Sequence, residues 1–366
     1  MPISPTRLVL ARKLRGVTLA ELGRTTTLSA QTINRYENGR QEPTDDSLEK
    51  LSEALELPVD FFSEPEIDPV PVEAVSFRAL SKTPAFRRDA GMAAAEIAIQ
   101  ISDWIAERYR LPGVDLPSYW VDGGTLGPEG VALKVRANWS LGSNPIPNMV
   151  HLLEAHGIRV FSLAQQVRDI DAFCFFRNGV PFIFIDTGKT AERQRFDAAH
   201  ELGHLVMHQG SERLQGREVE RQADRFAAAF LMPRDDVLAR KLRNASVGRI
   251  VQERKRWGVA AMALTHRLFE LDQLTEWGYR SCCVELSKRG FRKSEPGSSL
   301  VPESSQVFAK VFSHLRSSRS GVKEIIKDLR ITTEEFNRHV FSLATTVHGG
   351  VPTSTLVKRR EHLQVM

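Results

Sequence analysis

The run Arg195-Phe-Asp-Ala-Ala-His200-Glu201-Leu-Gly-His204-Leu-Val-Met-His208 constrains this chain more than any other stretch. Phe196, Ala198, Ala199, Leu202, Leu205, Val206 and Met207 recur at roughly helical spacing, which predicts a helix. On a helix, side chains four residues apart stack on one face, so His200 and His204 can grip one zinc ion between them. Glu201 stands beside the first histidine and points to the open side, where it can accept a proton from a water activated by the metal. The spacing is that of the HExxH pattern.

Zinc held for catalysis takes a third protein ligand. One arrangement places Gly and His three and six residues after the second histidine, but this chain has Met207 and Gly210 there. The other draws a carboxylate from a following helix. The segment from Arg217 to Pro233 reads as that helix, stopped at its end by Pro233. Glu220 and Asp224 are four apart on it and share a face, so Glu220 can bind zinc while Asp224 fixes the tautomer of a ligand imidazole from behind. Glu218 lies nearly opposite Glu220, so only one of the two can be the ligand, and Glu220 is preferred. His208 continues the histidine stripe and is expected to be a flanking residue.

The 366 residues leave room for two or three domains, and 42% apolar with 26% charged residues is the balance of a soluble globular protein. No run of about 18 apolar residues occurs, and Arg7, Arg12 and Lys13 interrupt the N-terminus before a signal-like core can form. The expectation is a cytoplasmic protein with no membrane partner. Cys174 and the adjacent Cys282 and Cys283 cannot build a disulfide framework.

Residues from about Pro5 to Phe62 read as a bundle of short helices. Thr18 and Ser29 stand at cap positions, Gly39 ends the helix that begins after Ser29, and Leu48, Leu51 and Leu55 return with helical period. Two short helices joined by a tight link, the second bearing polar side chains, are the parts of a helix-turn-helix reader of DNA. Met1 to Gln41 carries seven Lys and Arg against two acids, whereas residues 42 to 62 carry one Lys and seven acids, so the basic surface is one face rather than the whole domain.

The sequence Thr18-Leu-Ala-Glu-Leu-Gly through Thr32-Ile-Asn-Arg-Tyr-Glu-Asn-Gly-Arg40-Gln-Glu-Pro43 resembles the lambda-repressor-like, XRE-type DNA-binding domain. That resemblance implies that Ala30, Gln31, Thr32 and Arg35 face the major groove of a double-stranded operator, with Asn38 and Arg40 near phosphate. Gln and Arg side chains can contact adenine and guanine in bidentate fashion.

An acid- and proline-rich linker is expected at 63–74. Helices are expected near Asp89–Tyr109, Pro128–Trp139 and Met149–His156, and a strand at Ile158–Ser162. Asp171–Phe176 then turns at Arg177-Asn178-Gly179 into Val180–Asp186, a hairpin signal. In zinc peptidases an edge strand beside the metal pairs with an extended substrate, and whether either of these strands is that edge stays open on sequence alone. The stretch from about Val75 to Pro233, notably Arg193-Gln-Arg-Phe-Asp-Ala-Ala-His-Glu-Leu-Gly-His and Phe226-Ala-Ala-Ala-Phe-Leu-Met-Pro, resembles the ImmA/IrrE metallopeptidases. The resemblance implies a gluzincin-like zinc site and cleavage of helix-turn-helix repressors.

The sequence thus predicts an α+β, mostly helical chain. It comprises a helix-turn-helix bundle at 1–62, a gluzincin-like peptidase domain with a small β-sheet at 75–235, a helical segment packed on it at 236–293, and a helical extension at 300–366. The expected site is zinc on His200, His204 and Glu220, with Glu201 as catalytic base and Asp224 behind. A regulator that binds DNA and cleaves a repressor or antitoxin-like partner, or itself, is the leading reading. A transcription factor or antitoxin using the zinc fold only as sensor or docking scaffold is the alternative, and a second copy of the chain is a further candidate partner.

Overall fold

The structure is a computed structural model that describes residues 3–67, 70, 75–77, 84–119, 126–163, 172–208, 216–318 and 321–344. Residues 68–69 and 71–74 of the expected linker, and the basic Lys358-Arg359-Arg360, lie outside the described residues. In chain order the first elements are α1 (Pro5–Leu14), α2 (Leu19–Thr26), α3 (Ala30–Glu37), α4 (Asp45–Leu55), β1 (Val75–Phe77), α5 (Ala85–Arg108), α6 (Pro128–Asn138) and α7 (Met149–Ala155). They are followed by β2 (Arg159–Leu163), β3 (Ala172–Arg177), β4 (Val180–Asp186), α8 (Ala191–Met207) and α9 (Arg217–Leu231). The last helices are α10 (Arg234–Ala239), α11 (Val247–Glu253), α12 (Ala261–Glu270), α13 (Glu276–Lys288), α14 (Gln306–Ser317), α15 (Lys323–Asp328) and α16 (Thr333–His339). The fold is α+β and mostly helical, as the sequence predicts.

The chain's internal contacts group it into two units, Met1–Pro112 with Phe161–Ile170 and Ser305–Met366, and Gly113–Val160 with Asp171–Ser304. In the first unit the caps act as the sequence implies. Thr18 and Glu21 form a reciprocal capping box, the Ser29 hydroxyl accepts from the Thr32 amide, and Gly39 ends α3 at φ +64°. Leu8, Leu22, Ile33, Tyr36, Leu51, Leu55 and Phe61 are buried in the bundle these helices enclose. Helix α5 packs on α1, and α14–α16 cluster with the same bundle. The sequence pattern instead groups α5 with the peptidase and the last helices in a separate extension. Helix α5 is buried on most of its faces from Ala90 to Ile105, so one neighbour cannot cover it. Part of its cover comes from the end of the chain, where Trp104 Nε1 donates to Asp328 and the Tyr109 hydroxyl meets His314 Nδ1 at 2.9 Å.

In the second unit β3 and β4 pair antiparallel around Asn178-Gly179, both in the left-handed region. Phe173 faces Phe184 and Phe175 faces Phe182 across the hairpin, each pair with rings stacked. β3 and β4 are neighbours in the strand order β1-β3-β4-β2. Helix α8 packs on the hairpin and on α9.

Residues 294–304, whose Ser294-Glu-Pro-Gly-Ser-Ser299 run the sequence alone makes a linker, carry two buried acids that hold the start of α8. Glu303 pairs with Arg195 and accepts from the Met149 and Val150 amides, while Arg254 bridges Glu192 of α8 and Glu295 at 3.1 Å each.

Candidate metal centre

Helix α8 is enclosed almost all round, so its histidines can meet a carboxylate only if a neighbouring helix comes very close. Gly203 permits that approach. A Cβ at this position would stand 3.0 Å from Phe226 Cδ1 and 3.4 Å from Ala223 Cα, both on α9. With α9 pressed against this glycine, its first turn lies over His200 and His204.

The result is a compact donor set of two imidazoles and one carboxylate, His200, His204 and Glu220. The two Nε2 atoms are 3.0 Å apart, and the Glu220 oxygens lie 3.3 Å from His200 Nε2 and 3.5 Å from His204 Nε2. Ligands about 2.0–2.1 Å from a tetrahedral zinc stand about 3.4 Å from one another. The three separations bracket that value, so the residues fit a zinc ion. Glu218, the rival carboxylate, is turned to Arg221 and Gln222 instead.

The surroundings suit the same purpose. Asp224 Oδ1 lies 2.8 Å from His200 Nδ1; the carboxylate only accepts, so Nδ1 carries the proton and Nε2 keeps its lone pair toward the donor cluster. His208 stands outside this donor set, with its Nδ1 3.1 Å from His204 Nδ1. What sequence reasoning missed is the group on the far side of His208, Gln222 of α9.

Burial pushes the Glu201 carboxyl up to about 7, against the pull of His200 and of the Cys174 thiol beside it. Neither of its buried oxygens receives a hydrogen bond from a protein nitrogen or oxygen. Burial also drives His204 down to about 4, which leaves it neutral and able to act as a ligand near pH 7. Glu220 goes the other way: burial raises it, but its close contacts with His200 and His204 outweigh that and hold it well below the usual carboxylate range.

In the first unit, Ala30, Gln31, Arg35, Asn38 and Arg40 lie on or just after α3, with Ala30, Gln31, Arg35, Asn38 and Arg40 exposed and Thr32 half-buried, its hydroxyl 2.8 Å from that of Ser29. The Asn38 side-chain amide donates to Asn34, an engagement that the sequence does not reveal. No described helix is long and apolar enough to cross a membrane.

Comparison with known families agrees with both parts. Residues 8–62 match the family described as Helix-turn-helix. Residues 153–269, from α7 through most of α12, match a peptidase family described as IrrE N-terminal-like domain. No curated protein matches the chain. The chain therefore joins an XRE-type helix-turn-helix domain to an IrrE/ImmA-like domain of a peptidase family.

Proposed function

We propose that this protein is a DNA-binding regulator whose second unit is a zinc endopeptidase acting on a repressor, an antitoxin-like partner or another copy of the chain. The observation that carries the reading is the convergence of His200, His204 and Glu220 at zinc-ligand separations, with the buried Glu201 carboxylate beside the first of them. His200, His204 and Glu220 would hold the zinc. When bound there, zinc supplies Lewis acidity that polarises a peptide carbonyl and acidifies a water. Asp224 keeps the His200 proton on Nδ1 and so presents Nε2 as a donor. Glu201 takes the water proton on a carboxylate oxygen and delivers it to the departing amine.

At the other end, Ala30, Gln31, Thr32 and Arg35 would face the major groove and Asn38 and Arg40 the phosphates. The exposure of Gln31, Arg35 and Arg40 supports this. The functional modules we assign are the reader at 1–62, a linker at 63–74, the peptidase at 75–235, a helical segment at 236–293 and the extension at 300–366.

The test is Glu201→Gln. It should keep one zinc per chain by metal analysis while cleavage of candidate helix-turn-helix repressors, or of the chain itself, falls by about 100-fold or more. A variant that cleaves at the wild-type rate would sink the mechanism. The competing reading is a regulator in which the zinc fold does not turn over, and fusion to a reader in the same chain speaks for it. Operator binding that survives chelation, with no cleavage product under any condition, would decide for that one.

A further inference from the structure

A chain of hydrogen bonds runs from the surface of α9 to the back of His204, and the chemistry of each link fixes its direction. Glu218 is the outer end. Its carboxylate can only accept, so the Gln222 amide nitrogen, 3.4 Å away, donates to it. That orients the Gln222 side chain and turns its carbonyl oxygen to His208 Nε2 at 3.0 Å. Facing an acceptor, His208 Nε2 must carry the proton, and a neutral His208 then has a bare Nδ1. This bare nitrogen lies 3.1 Å from His204 Nδ1, which must therefore carry its own proton. A neutral His204 protonated at Nδ1 has its lone pair on Nε2, the atom 3.0 Å from His200 Nε2 and 3.5 Å from Glu220.

We propose that His208 is a positioning residue for the metal, and that Glu218, Gln222 and His208 together set the tautomer and ring orientation of His204. The inference rests on the reading of His200, His204 and Glu220 as zinc ligands. It makes the two histidines inequivalent. His200 is oriented directly by a carboxylate, Asp224, whereas His204 is oriented by a carboxylate acting through an amide and a second imidazole. It also assigns a role to Glu218, a second carboxylate on α9, besides Asp224, that does not join the donor set. Outer partners of this kind usually account for about 10–100-fold in metal affinity.

The experiment measures Zn2+ affinity of the full chain by competition with a chelator of known strength, the visible spectrum of the Co2+-substituted protein, and the melting temperature without metal. His208→Phe should bind Zn2+ about 10–100-fold more weakly and alter the Co2+ spectrum, with metal-free melting close to wild type. His208→Gln, which keeps an acceptor for the His204 proton, should recover a large part of the loss. Gln222→Leu, a change at a half-buried position that leaves both histidines in place, should weaken binding in the same direction by a smaller factor. If His208→Phe and Gln222→Leu both bind Zn2+ within about threefold of wild type, the positioning role is overturned while the zinc site stands. It is equally overturned if His208→Gln binds as weakly as His208→Phe. A wild-type chain that binds no Zn2+ would overturn the ligand reading itself, and this inference with it.

Discussion

Asp224 shows how much a single side chain beyond the candidate donor set is expected to decide. Its carboxylate holds the Nδ1 proton of His200 at 2.8 Å, and Asp224→Ala would leave that imidazole free to change tautomer and rotate. Zinc affinity measured by chelator competition should fall by about 10–100-fold, with metal-free melting little changed, because the Asp224 side chain is partly exposed. An unchanged affinity would show that Asp224 does not orient His200. At this scale the sequence is informative wherever partners sit on one helix. The i, i+4 spacing puts His200 over His204 and Glu220 near Asp224, and helical geometry guarantees both relations. The contact of His208 with His204 has the same spacing, yet its meaning depends on Gln222, which no local pattern could supply.

Between whole elements, the separation of α8 and α9 governs the site. Gly203 sets it, since any side chain there must displace Phe226 or the α9 backbone at Ala223. Gly203→Val should destabilise the second unit by about 1–3 kcal/mol in denaturant unfolding and weaken zinc binding further by moving Glu220 off the two imidazoles. Zinc affinity equal to wild type in a folded Gly203→Val protein would contradict that account. On α3, the exposed guanidinium of Arg35 is the side chain best suited to read guanine. Once an operator is identified, Arg35→Ala should lower affinity by about 1–3 kcal/mol and relax preference at one base position, which a binding series over substituted operators would reveal. A uniform loss across all sequences would reassign Arg35 to phosphate.

Long-range organisation is clearest in the first unit, where Glu335 of α16 is fully buried and receives Nη1 of Arg15, the residue after α1, at 2.6 Å and Arg338 Nη1 at 2.7 Å, with His339 Nε2 at 2.9 Å. Burial raises its carboxyl, but His339 and Arg15 outweigh that and hold it well below the usual carboxylate range. A carboxylate depressed in the folded state adds stability that is complete above its unfolded pKa and is lost as pH falls through the folded one. The contribution of Glu335 to the melting of this unit should therefore be constant near neutral pH and shrink progressively below about pH 4.3, the ordinary value for a glutamate. Glu335→Ala, which removes the buried carboxylate shared by Arg15, Arg338 and His339, should cost about 3–5 kcal/mol at pH 7, and the acid-sensitive component of stability should shrink with it. A melting curve unchanged by the substitution would remove the cluster from any structural role.

The sequence by itself determined the helix-turn-helix bundle, the hairpin turn and the i, i+4 placement of His200 with His204 and of Glu220 with Asp224. Caps, Asn-Gly turns and i, i+4 pairs act between residues close in the chain, so their consequences are already present in the local order of side chains. Only the tertiary structure decided that α9 comes close enough to α8 to bring Glu220 to the imidazoles, that residues 294–304 hold α8 instead of linking domains, and that α5 and α14–α16 cluster with the helix-turn-helix bundle. Those outcomes follow from which buried faces and buried charges find a match across hundreds of residues, and loop closure lets such matches form at any separation along the chain.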